Sequence, residues 1–342
     1  MCKLPYKIQP KNRVQLVQLI NYAFKHKQYD LNFIDTSKIT DMSYLFDNVN
    51  HNFDISCWDV SNVTNTEFMF DCCFEFKGKG LENWDVSNVT NMRHMFGGCK
   101  NFNCDLSNWD VSNVTDMSHM FYCCKNFDIN CFKSWDVSNV ENTSYMFYYC
   151  NNFDCDLSNW DVSNVKDMSY MFTYCFKFNC DLSTWDVSNV TNMRCTFYKC
   201  NMFTGKGLEN WDVSNVTDMD NMFTWCKIFN ADLSNWDMSN VENAGFMFYC
   251  CKNFNCNLSN WDVSKVINMR HMFRLCKNFD CDLSNWNVSN VTDMYSMFTA
   301  CENFKGKGLE NWDVSKVKDM NYMFNNCDKA SIPSWYKLYH RK

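Results

Sequence analysis

The chain has 342 residues, a formal net charge of −7 and 46% apolar residues, with 30 Phe, 22 Met, 23 Cys and 13 Trp against 9 Gly and 3 Pro. That apolar content excludes a disordered chain, and the acidic balance argues against a nucleic-acid partner, which needs a basic face for phosphates. No apolar run approaches the ~18 residues of a membrane helix, and the opening MCKLPYKIQPKNRVQ has no charged segment leading into an apolar core, so a cytoplasmic protein is expected.

In chain order, the first expected element is a helix. PKNRVQLVQLINYAFKHK (10–27) carries Val14, Val17, Ile20 and Phe24 at helical spacing behind Pro10. Residues 1–30 therefore read as an amphipathic cap.

From 31 to 330 one phrase recurs. Trp stands at 58, 84, 109, 135, 160, 185, 211, 236, 261, 286 and 312, in steps of 25 or 26. Twelve residues after each Trp comes Phe, from Phe70 to Phe324, and three further on comes Cys, from Cys73 to Cys327. A degenerate copy with Ile34 and Phe46 in those places precedes them, making about twelve coils.

The copy LSNWDVSNVTDMSHMF (106–121) shows the logic of one coil. Leu106, Trp109, Val111 and Val114 have the alternation of a short strand. Met117, Met120, Phe121 and Cys124 fall at i, i+3, i+4 and i+7, one face of a two-turn helix. Asp116 and its equivalents, always Asp or Asn, stand where an N-cap belongs. A unit this small cannot bury its own apolar face, so the copies must stack, Trp on Trp, Met on Met and Phe on Phe. The fold class expected is an α/β repeat solenoid, with one short β-strand and one short helical turn per coil.

The steps of 26 arise in the return loop. Phe153 lies seven residues before Trp160, whereas FKGKGLENW from Phe76, its relatives at Phe203 and Phe304, and the glycine-free stretch from Phe127 take eight. GKGLEN lacks phosphate-loop spacing and reads as a glycine turn. After Cys327 the pattern decays into DKASIPSWYKLYHRK, so 331–342 is a closing cap or a loose tail.

NWDVSNVTDMSYMF followed by Cys and Phe resembles the BspA-like leucine-rich-repeat family, in its Trp-Asp-Val-Ser-Asn-Val-Thr form known from bacterial surface proteins and mycoplasma-type lipoproteins. The resemblance covers about residues 10–330. It implies a leucine-rich-repeat-like solenoid with protein binding or adhesion as its role. The chain departs from the general leucine-rich pattern in that Asn113 sits one position early and Trp and Met replace Leu.

Catalytic sites are unique constellations, whereas here each candidate residue recurs in one register, so no enzyme, cofactor or metal is expected. The residue after Trp, including Asp110, Asp136, Asp161 and Asp186, is either a carboxylate ladder for a basic partner or a turn residue; Asn287 in that column fits the turn. The Cys after each Phe, and the column Cys104, Cys155, Cys180, Cys256 and Cys281, are expected as buried reduced thiols. His94, His119 and His271 are expected at the surface, and Asn-Val-Thr at Asn62, Asn88, Asn113, Asn189, Asn215 and Asn290 as turn chemistry. The positions just after Phe vary and are rich in rings: Tyr122, Tyr148, Tyr149, Tyr174, Tyr198, Trp225 and Tyr249. They either cluster in the open as a partner surface or lie flat on neighbouring coils. A non-enzymatic protein-binding scaffold is the leading reading, and an exported surface or adhesive component the alternative; the partner is not legible.

Overall fold

In the computed structural model the described residues are 7–127 and 132–339, so the glycine-free insertion at 128–131 and the tail beyond Tyr339 lie outside them. The chain divides into two compact units, Met1–Asn164 and Val165–Lys342.

The first unit opens with helix α1, Arg13–Lys25, whose N-cap Asn12 accepts the Gln15 N–H at 3.1 Å. Its buried stripe is Leu16, Ile20 and Ala23, while Val14 is 63% exposed, so the inward face is rotated from the expected one. Ile8 explains the roll. It exchanges main-chain hydrogen bonds with Phe33 and Asp35 of the first coil, both at 2.9 Å, and so anchors the chain just before α1. Phe24 then lies 6.3 Å from Phe46, covering the first coil, and the Arg13 guanidinium caps the Ser43 carbonyl.

The coils themselves hold neither the expected strand nor the expected helical turn. Among the described residues the pairing is a single parallel bridge per coil, as at Asn65–Asn91 and Asn91–Asp116. Leu106 to Trp109 and Val111 to Val114 are closed by i→i+3 bonds of 3.0 and 2.9 Å, two tight turns where a strand was expected. From Met117 the chain runs as a ribbon of linked turns. Met120, Tyr122 and Cys124 donate back to Met117, His119 and Phe121 of their own coil at 2.9–3.2 Å. Between them Met117, His119, Phe121 and Cys123 donate forward to Asn142, Ser144, Met146 and Tyr148 of the next coil at 2.7–3.0 Å. Successive N–H groups thus alternate between the coil's own turns and its neighbour, so the buried backbone is satisfied without a helix.

That alternation requires a left-handed residue in each type II-like turn. His119 has φ 59° and Cys123 φ 60°, and the same two places in all twelve coils have positive φ. None of the non-glycine residues there is Val, Ile or Thr, the types that tolerate this region least. The Asp116 column keeps its capping role in altered form: its Oδ1 accepts the N–H two residues on, at 2.8 Å from Ser118, closing an Asx turn.

The inward residues are those the spacing selects: Leu106, Val114, Met117, Met120, Phe121 and Cys124 are fully buried. Rings rest on like rings, with Phe46, Phe70, Phe96, Phe121 and Phe147 separated by 5.5–5.8 Å. Each buried indole donates back to the preceding coil, as Trp109 does to the Leu81 carbonyl at 2.8 Å and Trp135 to Leu106 at 3.0 Å. Trp84 is the exception, with no acceptor. Gly80 opens a short 3₁₀ turn at φ 93°, and a Cβ there would lie 2.3 Å from Ser56, so the coil contact itself demands glycine.

The second unit repeats this construction. Phe172 to Phe324 stack at 5.6–5.8 Å, and Trp185, Trp211 and Trp236 lie parallel at 6.3 and 6.4 Å. The tail closes it. Helix α2, Ser334–Tyr339, places Trp335 on Trp312 and donates its indole N–H to Leu309 O at 2.8 Å, the bond each coil makes.

A left-handed residue costs about 1–2 kcal/mol outside glycine. Cys123→Gly is therefore expected to leave the melting temperature unchanged or raise it, whereas Cys123→Ile should lower it by several degrees, measured by calorimetry on the whole chain.

Candidate interaction surface

The ribbon has an inner face committed to the core and an outer face at its variable positions. In the first unit Tyr122 and Tyr148 occupy one column and stack at 4.8 Å with 9° between planes, while Tyr149 stands beside Tyr148 at 6.2 Å with the Lys125 ammonium 4.8 Å above its ring. In the second unit Tyr174 meets Tyr198 edge-on at 5.4 Å with Lys199 over both rings, and Trp225 meets Tyr249 edge-on at 6.0 Å. All seven are half-buried. They both lean on neighbouring coils and show an edge outward, so the two alternatives drawn from sequence are each half of the geometry.

A second ring column was not foreseen. In the first unit Tyr44, Phe68, His94, His119 and Tyr145 stack in order at 4.8, 4.5, 5.1 and 4.5 Å. In the second unit Phe246, His271, Tyr295 and Tyr322 follow at 4.5, 5.1 and 5.7 Å. These are the left-handed positions ten residues after each Trp. The legible signal was a run of bulky residues there with no β-branched member.

The histidines are therefore not surface residues. His94 and His119 are half-buried and His271 is 6% exposed. Burial, then nearby positive charge, pushes His119 and His271 down to about 4, so both stack as neutral rings at neutral pH. His94 Nδ1 lies 3.0 Å from Asp71 Oδ1, an approach that Gly97 permits, since a Cβ there would sit 2.0 Å from that nitrogen.

The Asp column belongs to a different stretch, the turn after Trp. Asp110, Asp136, Asp161 and Asp186 are exposed, and each Oδ1 accepts the N–H of the Ser two residues on, at 3.0–3.1 Å. Those serine hydrogen bonds hold Asp110 and Asp161 below the usual carboxylate range. Asn287 makes the same bond to Ser289 at 3.2 Å, so the position needs an oxygen rather than a charge.

The Asn-Val-Thr asparagines form a ladder. Asn113 Nδ2 donates to Ser87 O at 2.8 Å in the first unit, and Asn215 to Ser188 O at 2.7 Å in the second. The cysteines after Phe form another: Cys124 Sγ donates to Phe96 O at 3.0 Å and Cys276 to Phe248 O at 2.9 Å. Burial raises both thiols well above their ordinary pKa. Twenty described cysteines are free thiols. Among the described residues no three His, Cys, Asp or Glu side chains are grouped to hold a metal ion, and no helix is long and apolar enough to cross a membrane.

Against this geometry the comparisons decide the family. A family model described as "Mycoplasma protein of unknown function, DUF285" matches residues 14–133, 123–233, 175–274 and 226–335. The chain belongs to that family. No curated protein matches it. Solved structures with similarity are leucine-rich-repeat proteins or resemble them only loosely. TLR13 in its complex with ssRNA13 is 10% identical, with 94% of this chain and 52% of that one covered at a TM-score of 0.27. A leucine-rich-repeat protein of Leptospira interrogans is 10% identical, with 87% and 93% covered at 0.21. The functional domain of InlJ from Listeria monocytogenes, which includes a cysteine ladder, is 12% identical, with 79% and 66% covered at 0.16. This chain thus spans about half the length of TLR13, and its coil structure stands on its own hydrogen bonds.

His119 and His271 bind protons more readily unfolded, near 6.5, than folded, near 4. Stability should therefore be undiminished above about pH 6.5 and fall as pH drops from there toward 4. His119→Asn with His271→Asn, a residue that tolerates left-handed backbone, should flatten that fall in a series of melting curves.

Proposed function

We propose that this DUF285 chain is a non-enzymatic, protein-binding scaffold of BspA-like leucine-rich-repeat type, engaging its partner through the outer face of the turn ribbon. One observation carries the reading. The Tyr122–Tyr148 stack is half-buried and rigid and lies beside the ordered column containing His119 and Tyr145, so several ring edges share one surface at positions where the repeat is free to vary. Rings already ordered by stacking lose little entropy on binding, and aromatic residues dominate the energetics of protein interfaces. Repetition of every nucleophile and acid in one register supports a non-enzymatic role. A cytoplasmic setting suits two columns of buried thiols that serve as hydrogen-bond donors and packing groups.

Tyr122→Ala with Tyr148→Ala, in a protein that keeps its melting temperature, should weaken a partner isolated with the whole chain by tenfold or more when affinity is measured with purified components, about 1.4 kcal/mol. Unchanged affinity would remove this face from the proposal.

A further inference from the structure

The last coil of the second unit ends on an edge that the coils before it have covered. Met294, Ser296, Phe298 and Ala300 donate forward to Asp319, Asn321, Met323 and Asn325 at 2.8–3.0 Å, and Lys318 returns its N–H to Thr292 O at 2.8 Å. One coil further on, the corresponding groups are the N–H of Met320, Tyr322, Phe324 and Asn326 and the carbonyl of Lys318. Among the described residues the N–H groups of Tyr322 and Asn326 meet no main-chain acceptor, and no main-chain donor meets Lys318 O. Tyr322 is 58% exposed and Asn326 is exposed as well. Helix α2 covers the core side only, with Tyr336 5.0 Å from Phe324 and Trp335 on Trp312. Beside it lies a cavity of about 510 Å³ lined by Asn321, Tyr322, Phe324, Asn325, Ile332 and Tyr336.

We propose that this edge docks an extended peptide segment of a partner protein, which adds to the last coil as a parallel ribbon. The partner's chemistry follows from what each coil receives from the next. It must offer carbonyls to Tyr322 and Asn326, an N–H to Lys318 O, and one bulky apolar side chain for the cavity against Phe324 and Ile332. Main-chain pairing at an open edge supplies affinity while the side-chain pocket supplies selectivity. The orientation is parallel because every bridge between coils in this unit is parallel. A helical partner is excluded, since its own backbone groups are already paired within it. The cavity has the volume of an ordinary ligand pocket. This site is separate from the Tyr122–Tyr148 face and lies in the other unit.

The probe is a synthetic peptide of residues 115–122, TDMSHMFY, the block that covers this edge in an inner coil. With the whole chain, we expect saturable binding by fluorescence anisotropy and slowed hydrogen exchange at Tyr322 and Asn326. A scrambled peptide should bind at least about tenfold more weakly, and so should the wild-type peptide to Ile332→Trp, which fills the cavity, and to Tyr322→Asp, which stays at the surface. No saturation by roughly 1 mM peptide, equal binding of the scrambled sequence, or full affinity in both variants would overturn the proposal. So would protection of the same amides by sodium acetate or sulfate alone, which would make the edge a small-anion site.

Discussion

Everything in this molecule depends on how one short ribbon divides its backbone donors. From Met117 to Cys124, alternate N–H groups turn back into their own coil and reach forward into the next. A helix would spend all of them within itself and leave the coils joined by side chains alone. A strand would spend them all sideways and give no compact turn. The ribbon does half of each, so every coil is both closed and cemented to its neighbour. The side-chain columns follow, because equivalent residues are held one coil apart: Phe on Phe, indole N–H on Leu carbonyl, thiol on Phe carbonyl, Asn amide on Ser carbonyl.

The cost of that arrangement falls at the two left-handed residues per coil. Glycine would relieve it, yet of these positions only Gly98 is glycine. Rings stand at many of the others, and stacking on the coils above and below returns what the backbone loses: Phe68, His94 and His119 gain contacts at 4.5 and 5.1 Å from the same positions that strain them. Large half-buried residues at left-handed φ are thus a structural need. Their outward edges form a surface that selection is free to vary.

Much of this was legible in the sequence. The period, the coil boundaries, the inward choice of Leu106, Trp109, Met117, Met120, Phe121 and Cys124, and the turn role of the Asp110 column all follow from spacing. What failed was the identity of the elements. Spacing of three and four residues says which side chains share a face, and a chain of i→i+3 turns produces the same face as a helix. The donors that distinguish the two are identical in every peptide group and leave no mark on sequence except through φ. That mark was present, as the lack of Val, Ile and Thr at the positions of His119 and Cys123, and it reads only once the turn type is considered. The roll of α1 was hidden for a related reason: Val14–Val17–Ile20–Phe24 and Leu16–Ile20–Ala23 are competing stripes, and Ile8, distant from both in pattern, selects between them. The histidines were misplaced because a residue in a polar stretch gives no sign that a neighbour one coil away will cover it.

The central claim is tested most directly by scalar couplings across hydrogen bonds in the labelled whole chain, which report the carbonyl that each amide faces. A coupling from the His119 amide nitrogen to the Ser144 carbonyl carbon, with the Met120 amide coupled to Met117, is the result this structure predicts. Coupling of His119 to Thr115, four residues back in its own coil, would mean a helix and would contradict the account.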